Sequence, residues 1–576
     1  MTTGLQGAPT PIGLLQALAW PLGLTLLLSA CGGGSASNTP TPGTPSSVTG
    51  TFYGPVNSQV TLQVNGGDDL GVTVPPFNAG PDPYNSKDFS FATPLASGSA
   101  YRVTLKGTPA GQTCAVFKGA NGTMPLGAGA LRVGCEITDD LVSRNSHSAV
   151  SAVTGTAFES SAPVVGGAQV AIGSTTQVYG EGRFVAFVSS KAGLAAGATG
   201  AQRQVYWRDR LTGITRLVSA SATGVEGNGD SVAPALSADG LTVAFESYAT
   251  NLVPSDTNGV RDVFVWSSRT QDTAPGVTRV SVGAAGVQAD AESFEPTLSG
   301  DGSRVAFSTG ASNLTAGVAG TATINVVLRH LTTGSNTLVS ADVGGIGRGG
   351  ARPMLSESGT RLAYWSFSDQ LVGAGADTNN LWDIFVYDTS TARNTRVSLT
   401  SAGGERNQGS ESASRVVAPA ISGNGRFVAY ATTASNVVAG DNNAAQDLFV
   451  VDTQTGTPTP MVTRVSVSSA GVEGNADSPV GQGERPAVSH DGTWVAFTSM
   501  ATNLGAAANN VLLHHRVTGE TRVVSNQSTS FVGAPALSRD GGVVVFGAGA
   551  ALDSRVASSG LFAHYTQLAP AFWWLP

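Results

Sequence analysis

Three observations in the sequence predict an all-β protein. Charged residues make up only 12% of the chain, and Gly accounts for 74 of its 576 residues. Ser, Thr, Ala and Val fill much of the remainder, which is a composition suited to strands and turns and poor in strong helix formers. A turn signal between alternating apolar residues also returns seven times. Because the chain is longer than one hydrophobic core usually organises, at least two domains are expected.

The first residues are predicted to be a targeting segment and not part of the fold. An apolar run, "IGLLQALAWPLGLTLLLSA", ends in small residues directly before Cys31. "LSAC", Leu28 to Cys31, resembles the bacterial lipobox, which implies a signal peptide over residues 1–31 and a lipid on Cys31. Gly32 follows the cysteine, which by resemblance to the sorting rule of enteric bacteria implies the outer membrane. Residues 32–47, rich in Gly, Ser and Pro, then form a flexible tether, and an uncleaved transmembrane helix is the alternative.

Residues 48–138 are predicted to form a small β-sandwich. Short segments such as "SQVTLQVN" and "AYRVTLKG" alternate apolar and polar residues and are separated by Gly, Pro and Asn. The words "VNGGDDL", "FATPLASGSAYRVT" and "GQTC" resemble a domain common in proteobacterial lipoproteins. With lipid on Cys31, Cys114 and Cys135 remain as an even pair in an oxidising compartment, so a disulfide between them is expected.

A repeat of four strands fills residues 139–566. Each copy begins with a hairpin in which Ser-x-Asp-Gly, or a variant of it, precedes a "VAF" strand, and Asp-Gly between apolar runs is a strong hairpin signal whose two residues are expected at positive φ. A third strand, for example "VFVWS", returns seven times, and a fourth, "TRLVS" or "TRVS", returns six times. The seven hairpins are Val178–Phe187, Leu236–Phe245, Leu298–Phe307, Leu355–Tyr364, Ile421–Tyr430, Val488–Phe497 and Leu537–Phe546.

Four-stranded units that bury their two faces only against neighbours predict a β-propeller. The repeat resembles the TolB-like propeller family, whose blades carry the same hairpin and an Asp-ended third strand. Because the last copy lacks a fourth strand, we expect an N-terminal strand, Leu141–Ser143, to close a seven-bladed ring beside Leu561–Tyr565. Residues 567–576 then form an aromatic C-terminal tail.

The long loops of the repeat predict the functional face. The hairpin turns and the third-to-fourth turns are short, so the second-to-third loops and the links between copies gather on the opposite rim, here called the long-loop rim. Acidic and Asn side chains concentrate in these loops, and binding residues on rigid scaffolds usually lie in loops. This acidic rim is therefore expected to recognise a protein or a glycan.

The word Asp-x-Asn-x-x-x-Asp occurs in three of the second-to-third loops. Oxygen ligands at alternate positions followed by a carboxylate resemble part of a calcium loop, because Ca²⁺ prefers six to eight oxygen ligands. The alternative is that Asp and Asn cap the turns by accepting backbone N–H groups. Calcium is the one cofactor that the sequence suggests. The three words contain Asp256, Asn258 and Asp262; Asp377, Asn379 and Asp383; and Asp441, Asn443 and Asp447.

The net charge of the chain and its lack of common catalytic motifs reduce the number of function classes that the sequence predicts. A net charge of -8 with only 31 Lys and Arg residues provides no extended basic surface, so nucleic acid is not an expected partner. The sequence contains no GxSxG, HExxH or CxxC motif, so no catalytic residue is assigned. We therefore expect a lipid-anchored binding or scaffold protein of the bacterial envelope. An envelope enzyme of an unrecognised type, with rim or channel carboxylates such as Asp256 and Glu226, is the alternative.

Overall fold

The computed structural model describes residues 44–566 with several gaps. The predicted signal peptide with Cys31, the tether up to residue 43 and the tail 567–576 lie outside the described residues. In the described part, regular structure is almost entirely strand, with a short 3-10 turn at Ala284–Gly286, and no helix there is long and apolar enough to cross a membrane. The gaps are residues 56–57, 76–83, 110–111, 126–130, 138, 143–162, 167–168, 173–174, 179–181, 211–213, 269–275, 319–322, 374, 409–416, 455–460, 480–483, 506–507, 526–532 and 549–559.

The first described strands form two four-stranded sheets that share one hydrophobic core. Phe52 and Val133 from one sheet and Leu62 from the other are fully buried in it. Cys114 and Cys135 lie opposite each other on antiparallel strands of the first sheet, and a disulfide joins them. In order across the sheets, the strands are Tyr84–Ser90, Thr49–Pro55, Arg132–Ile137 and Gln112–Lys118, and then Gly67–Thr73, Gln59–Val64, Ala100–Gly107 and Asn121–Thr123.

Seven further four-stranded antiparallel sheets occupy the rest of the described chain, and we number them 1 to 7 in chain order. In sheets 1 to 6 the four strands lie side by side in the order of the sequence. Sheet 1 has Val164–Gly166, Phe184–Ser189, Gln204–Asp209 and Ile214–Leu217; sheet 2 has Ser231–Leu236, Thr242–Ser247, Asp262–Ser267 and Thr278–Arg279; sheet 3 has Ser293–Leu298, Arg304–Thr309, Asn325–His330 and Asn336–Leu338. Sheet 4 has Ala351–Leu355, Arg361–Ser366, Asp383–Asp388 and Arg393–Arg396; sheet 5 has Ala420–Ile421, Phe427–Thr432, Asp447–Asp452 and Met461–Arg464; sheet 6 has Ala487–Val488, Trp494–Ser499, Asn510–His515 and Thr521–Val523.

Sheet 7 combines strands from both ends of this segment. Its first three strands are Ala536–Leu537, Val543–Ala548 and Gly560–Tyr565, and Asp139–Leu141 pairs antiparallel with the third. Of the predicted closing strand Leu141–Ser143, Leu141 pairs with Phe562 and the N–H of Val142 donates to the carbonyl of Leu561 over 2.7 Å. Ser143 lies outside the described residues.

Apolar side chains fill the space between each sheet and the next. Separate buried clusters join sheets 1 and 2, 2 and 3, and so on to sheets 6 and 7. A further cluster joins sheet 7 back to sheet 1, where Val185 and Tyr206 pack with Val543 and Leu561. Each such side chain contributes on the order of 1.5–3 kcal/mol by leaving water, so these contacts determine how the sheets are arranged.

The hairpin turns differ from the two-residue type expected from Asp-Gly. In sheet 2 the N–H of Gly240 donates to the carbonyl of Ser237 over 2.9 Å, which closes a four-residue turn. Gly240 has a φ of 72°, whereas Asp239 is not in the positive-φ region, so the expectation for both residues was wrong. Ser237 explains the difference, because its Oγ donates to Asp239 Oδ1 over 2.6 Å and accepts the N–H of Thr242 over 3.0 Å.

The first copy of the repeat also departs from its prediction. Val178–Phe187 does not form the first hairpin of sheet 1, because Thr175–Val178 pairs with Gln169–Ile172 in a separate two-stranded sheet. The first strand is Val164–Gly166, which pairs with Phe184–Ser189. In the sequence, Tyr179 stands where the other copies have the turn serine, and residues 179–181 lie outside the described residues.

Candidate functional site

The three Asp-x-Asn-x-x-x-Asp words lie in the loops that lead into the third strands of sheets 2, 4 and 5. The Asn oxygen caps the turn, since Asn443 Oδ1 accepts the N–H of Ala445 over 2.9 Å. Asn379 Oδ1 likewise accepts the N–H of Leu381 over 3.0 Å. Asn443 Nδ2 donates to Asp447 Oδ2 over 2.9 Å and to the carbonyl of Gly474 over 2.8 Å, whereas Asn379 Nδ2 has no hydrogen-bond partner among the described residues. The Asn oxygens therefore cap the turns of these loops.

Both Asp side chains of each word contact an Arg from the fourth strand of the same sheet. In sheet 4, Arg396 Nη1 lies 2.7 Å from Asp377 and 3.3 Å from Asp383, and its Nη2 lies 2.7 Å from Glu405. The Asp383 side chain is only 1% exposed, so this ion pair is buried. We call these groups the carboxylate–arginine clusters: Arg396 with Asp377, Asp383 and Glu405; Arg464 with Asp441, Asp447 and Glu473; and Arg279 with Asp256 and Asp262.

Burial raises the pKa of the first Asp of these words. Together with the neighbouring Asp447 carboxylate, it raises the pKa of Asp441 to about 6, although Arg464 opposes the shift. Burial and the carboxylate of Asp383 raise the pKa of Asp377 to about 6 in the same way. One Arg therefore only partly offsets the cost of burying a carboxylate beside a second one.

A serine beside the fourth strand completes each cluster. Ser398 Oγ donates to Asp383 and accepts the N–H of Ile384 over 2.9 Å. Sheet 3 has the corresponding hydrogen bond between two neutral side chains, because Ser340 Oγ donates to Asn325 Oδ1 over 2.9 Å. In the sheets with Gln or Asn at the start of the third strand, Leu or Val replaces the Arg two residues before the serine. These neutral sets are Gln204, Leu217 and Ser219; Asn325, Leu338 and Ser340; and Asn510, Val523 and Ser525.

The contacts in the carboxylate–arginine clusters affect how calcium could bind at the Asp-x-Asn-x-x-x-Asp words. Arg396 and Arg464 contact carboxylate oxygens that a metal ion would bind. One oxygen each of Asp377, Asp383 and Glu405 nevertheless lie within 4.8 Å of one another, as do those of Asp441, Asp447 and Glu473. Calcium binding at these words therefore stays a prediction, beside the turn-cap role that the Asn oxygens have.

Polar side chains of the long-loop rim mostly brace one loop against another. Asn228 Oδ1 accepts the N–H of Thr250 over 2.8 Å, and Asn251 Oδ1 accepts the N–H of Asn228 over 2.9 Å. The same brace returns between Asn475 and Asn503 in sheets 5 and 6. Glu226 accepts the N–H of Thr199 over 2.9 Å. The acidic and Asn words of the loops thus position the loops themselves.

Most of the exposed large apolar side chains of the described residues lie on the long-loop rim. Of the twelve large apolar side chains that are exposed in the described residues, only Met461 and Val517 lie on the opposite side, near the third-to-fourth turns. Phe367 is 54% and Trp382 38% exposed, and their ring centroids are 5.6 Å apart. The ten exposed apolar residues of the long-loop rim are Val225, Tyr248, Val287, Ile324, Val343, Ile346, Phe367, Trp382, Val472 and Met500.

A second polar group lies on the opposite side, where the Ser-x-Asp-Gly turns meet. From sheet 2 to sheet 7, a backbone hydrogen bond joins each of these turns to the turn of the next sheet. The donor is the N–H of the residue at x in Ser-x-Asp-Gly, or of the residue after it; for example, the N–H of Gly300 donates to the carbonyl of Glu357 over 2.7 Å. The side chains of Glu357, His490 and Arg539 contact each other there, and we call them the turn-face cluster. Sequence reasoning missed it. The signal was present, because these three x residues are charged or titratable where other copies have Gly or Ala.

Comparisons with known proteins give only distant likenesses. No protein-family model and no curated protein matches the sequence. TolB from Acinetobacter baumannii is 19% identical with a TM-score of 0.28 over 49% of this chain and 52% of that one, so the match spans about half of that protein. The β-propeller domain of the Trilobed protease from Pyrococcus furiosus is 12% identical, with a TM-score of 0.41 over 73% of this chain and 98% of that one. Oligogalacturonate lyase from Vibrio parahaemolyticus is 9% identical with a TM-score of 0.39, covering 67% and 87%. The solved structures found are TolB-like and other propeller proteins, the kind of fold that the blade motifs predict.

Proposed function

We propose that this protein is a lipid-anchored binding or scaffold protein of the cell envelope, built as a β-sandwich followed by a seven-bladed β-propeller. Support for the ring comes from the apolar cluster between sheets 7 and 1 and from Asp139–Leu141, which fills the fourth position of sheet 7. Support for the sandwich comes from the single core that the two N-terminal sheets share. The lipid anchor rests on the sequence "LSAC" before the tether.

The long-loop rim is the proposed contact surface for a protein partner. The observation that carries this proposal is the asymmetry between the two sides, because ten exposed apolar side chains lie on this rim and two lie on the other. Aromatic residues such as Tyr248, Phe367 and Trp382 are the types that dominate the binding energy of protein interfaces. The acidic loops contribute less than the sequence indicated, since Arg279, Arg396 and Arg464 pair with their central carboxylates. A glycan partner and an enzyme that uses Asp256 and Glu226 stay hypotheses.

Crosslinking in envelope extracts tests the proposal. The double variant Phe367→Ser/Trp382→Ser removes the aromatic pair, and Val517→Ser with Met461→Ser removes two apolar side chains from the opposite side that are even more exposed. We expect the first variant to lose a specific protein crosslink that the wild type and the second variant retain. Equal loss in both variants, or retention in both, would contradict the use of this rim.

A further inference from the structure

The turn-face cluster is not required by the fold. At the x position of Ser-x-Asp-Gly, sheets 2, 3 and 5 have Ala238, Gly300 and Gly423, and their turns make the same backbone bonds as the others. Sheets 4, 6 and 7 have Glu357, His490 and Arg539 at this position. Because small residues satisfy the turn equally well, the three larger side chains serve something other than the turn.

Gly423 allows the first two of these side chains to meet across sheet 5. A Cβ atom at this position would lie 2.4 Å from His490 Nδ1 and 2.5 Å from Glu357 Cδ, which is closer than real Cβ contacts. His490 Nδ1 lies 2.6 Å from Glu357 Oε2. Glycine here therefore makes room for the contact between sheets 4 and 6.

The contacts of the cluster orient the Arg539 guanidinium. Arg539 Nη2 lies 3.2 Å from His490 Nε2, and His490 Nδ1 contacts Glu357 Oε2 from the other side of the ring. Arg539 Nε donates to the same carboxylate oxygen over 3.1 Å. Glu357 and His490 together hold one edge of the guanidinium, through Nε and Nη2.

The other end of that guanidinium is open. Arg539 has five N–H groups, and Nη1 makes no hydrogen bond to any residue that the structure describes. Its side chain is 38% exposed. One N–H on Nη1 and one on Nη2 form a planar fork that matches the two oxygens of a carboxylate or a phosphate. Because Glu357 and His490 fix the plane of the fork, little side-chain freedom remains to be lost on binding.

We propose that the turn-face cluster is an anion-binding site in which Arg539 receives a carboxylate or phosphate group of a ligand, and Glu357 and His490 are positioning residues. This site lies on the side opposite the long-loop rim and does not depend on the function proposed for that rim. Arg426 provides a matched control, because its Nε and Nη2 bind Asp452 and its side chain is 43% exposed. Arg183 makes the same pair with Asp209 in sheet 1, so that pair belongs to the repeated scaffold.

Ligand-observed NMR with three probes tests the proposal on the full chain. The probes are an N-acetylated dipeptide with a free carboxylate, its C-terminal amide, and glycerol phosphate. We expect at least one anionic probe to bind ten or more times tighter than the neutral amide, and the comparison of the two anions identifies the group preferred. Arg539→Gln should weaken that binding at least tenfold, while Arg426→Gln should change it less than twofold.

Two further variants separate the roles within the cluster. Arg539→Lys keeps the charge but removes the fork, so we expect weaker binding with the fold retained in circular dichroism. Gly423→Ala pushes Glu357 and His490 apart and should weaken binding while Arg539 is unchanged. Binding of neither anion, equal binding of the amide, or unchanged binding in Arg539→Gln would overturn the proposal.

Discussion

Replacing Arg396 by Leu should destabilise the protein more than replacing any exposed arginine. Arg396 is 8% exposed and contacts Asp377, which is 4% exposed, and Asp383, which is 1% exposed. The variant leaves Asp377 buried without a cation and leaves Asp383 with Arg406 alone, whose Nη2 lies 2.9 Å from it. Breaking a buried ion pair by removing one partner costs about 3–5 kcal/mol. We therefore expect the free energy of unfolding, measured by urea titration at pH 7, to fall by about that amount.

Two controls make this result interpretable. Arg522→Leu removes an arginine that is 45% exposed and pairs with the exposed Glu520, so it should change the unfolding free energy far less. Asp377→Asn combined with Arg396→Leu neutralises the carboxylate that Arg396 alone pairs with, while Asp383 keeps Arg406, so it should lose less stability than Arg396→Leu alone. A loss below about 1 kcal/mol in Arg396→Leu, or a double variant as unstable as the single one, would refute the reasoning.

The remaining predictions concern the pH dependence of stability, calcium binding, the disulfide between Cys114 and Cys135, and the lipid anchor on Cys31. Burial lowers the pKa of His514 to about 4, so the unfolded chain takes up a proton between about pH 6.5 and 4 that the folded chain does not. Stability should therefore fall by up to about 3 kcal/mol over this window as the pH decreases, and His514→Gln should remove that slope in urea titrations. Calcium bound at the Asp-x-Asn-x-x-x-Asp words should raise the melting temperature of the wild type in millimolar Ca²⁺ but not that of Asp441→Ala, and an unchanged melting temperature would leave the words as turn caps. Cys114→Ser with Cys135→Ser should lower the unfolding free energy by about 3 kcal/mol, because the disulfide spans 21 residues, and an unchanged urea midpoint would contradict this. Cys31→Ser should release the protein from the membrane fraction, and mass spectrometry of a wild-type chain with an intact, unmodified N-terminus would disprove lipidation.

The sequence alone determined the strands of the repeat. Short apolar runs and the Ser-x-Asp-Gly word located the hairpins of sheets 2 to 7, because a buried apolar strand and a short turn are both local signals. The count of fourth strands indicated that one was missing, and the word "LVS" identified the N-terminal segment that pairs with Gly560–Tyr565. The first hairpin was predicted wrongly, since Val164–Gly166 and not the segment before Val178 pairs with Phe184–Ser189, and Tyr179 stands where the other copies have serine.

Only the tertiary structure decided what the polar residues do. Asp377 and Arg396 are 19 residues apart in the sequence. The sequence therefore does not show that Arg396, on the fourth strand, contacts the Asp377 carboxylate. Glu357 and His490 are separated by 133 residues, and Glu357 and Arg539 by 182, so no local pattern could bring them together. Their contact depends on the convergence of turns from different sheets, and that convergence comes from side-chain packing between the sheets, which strand periodicity does not encode.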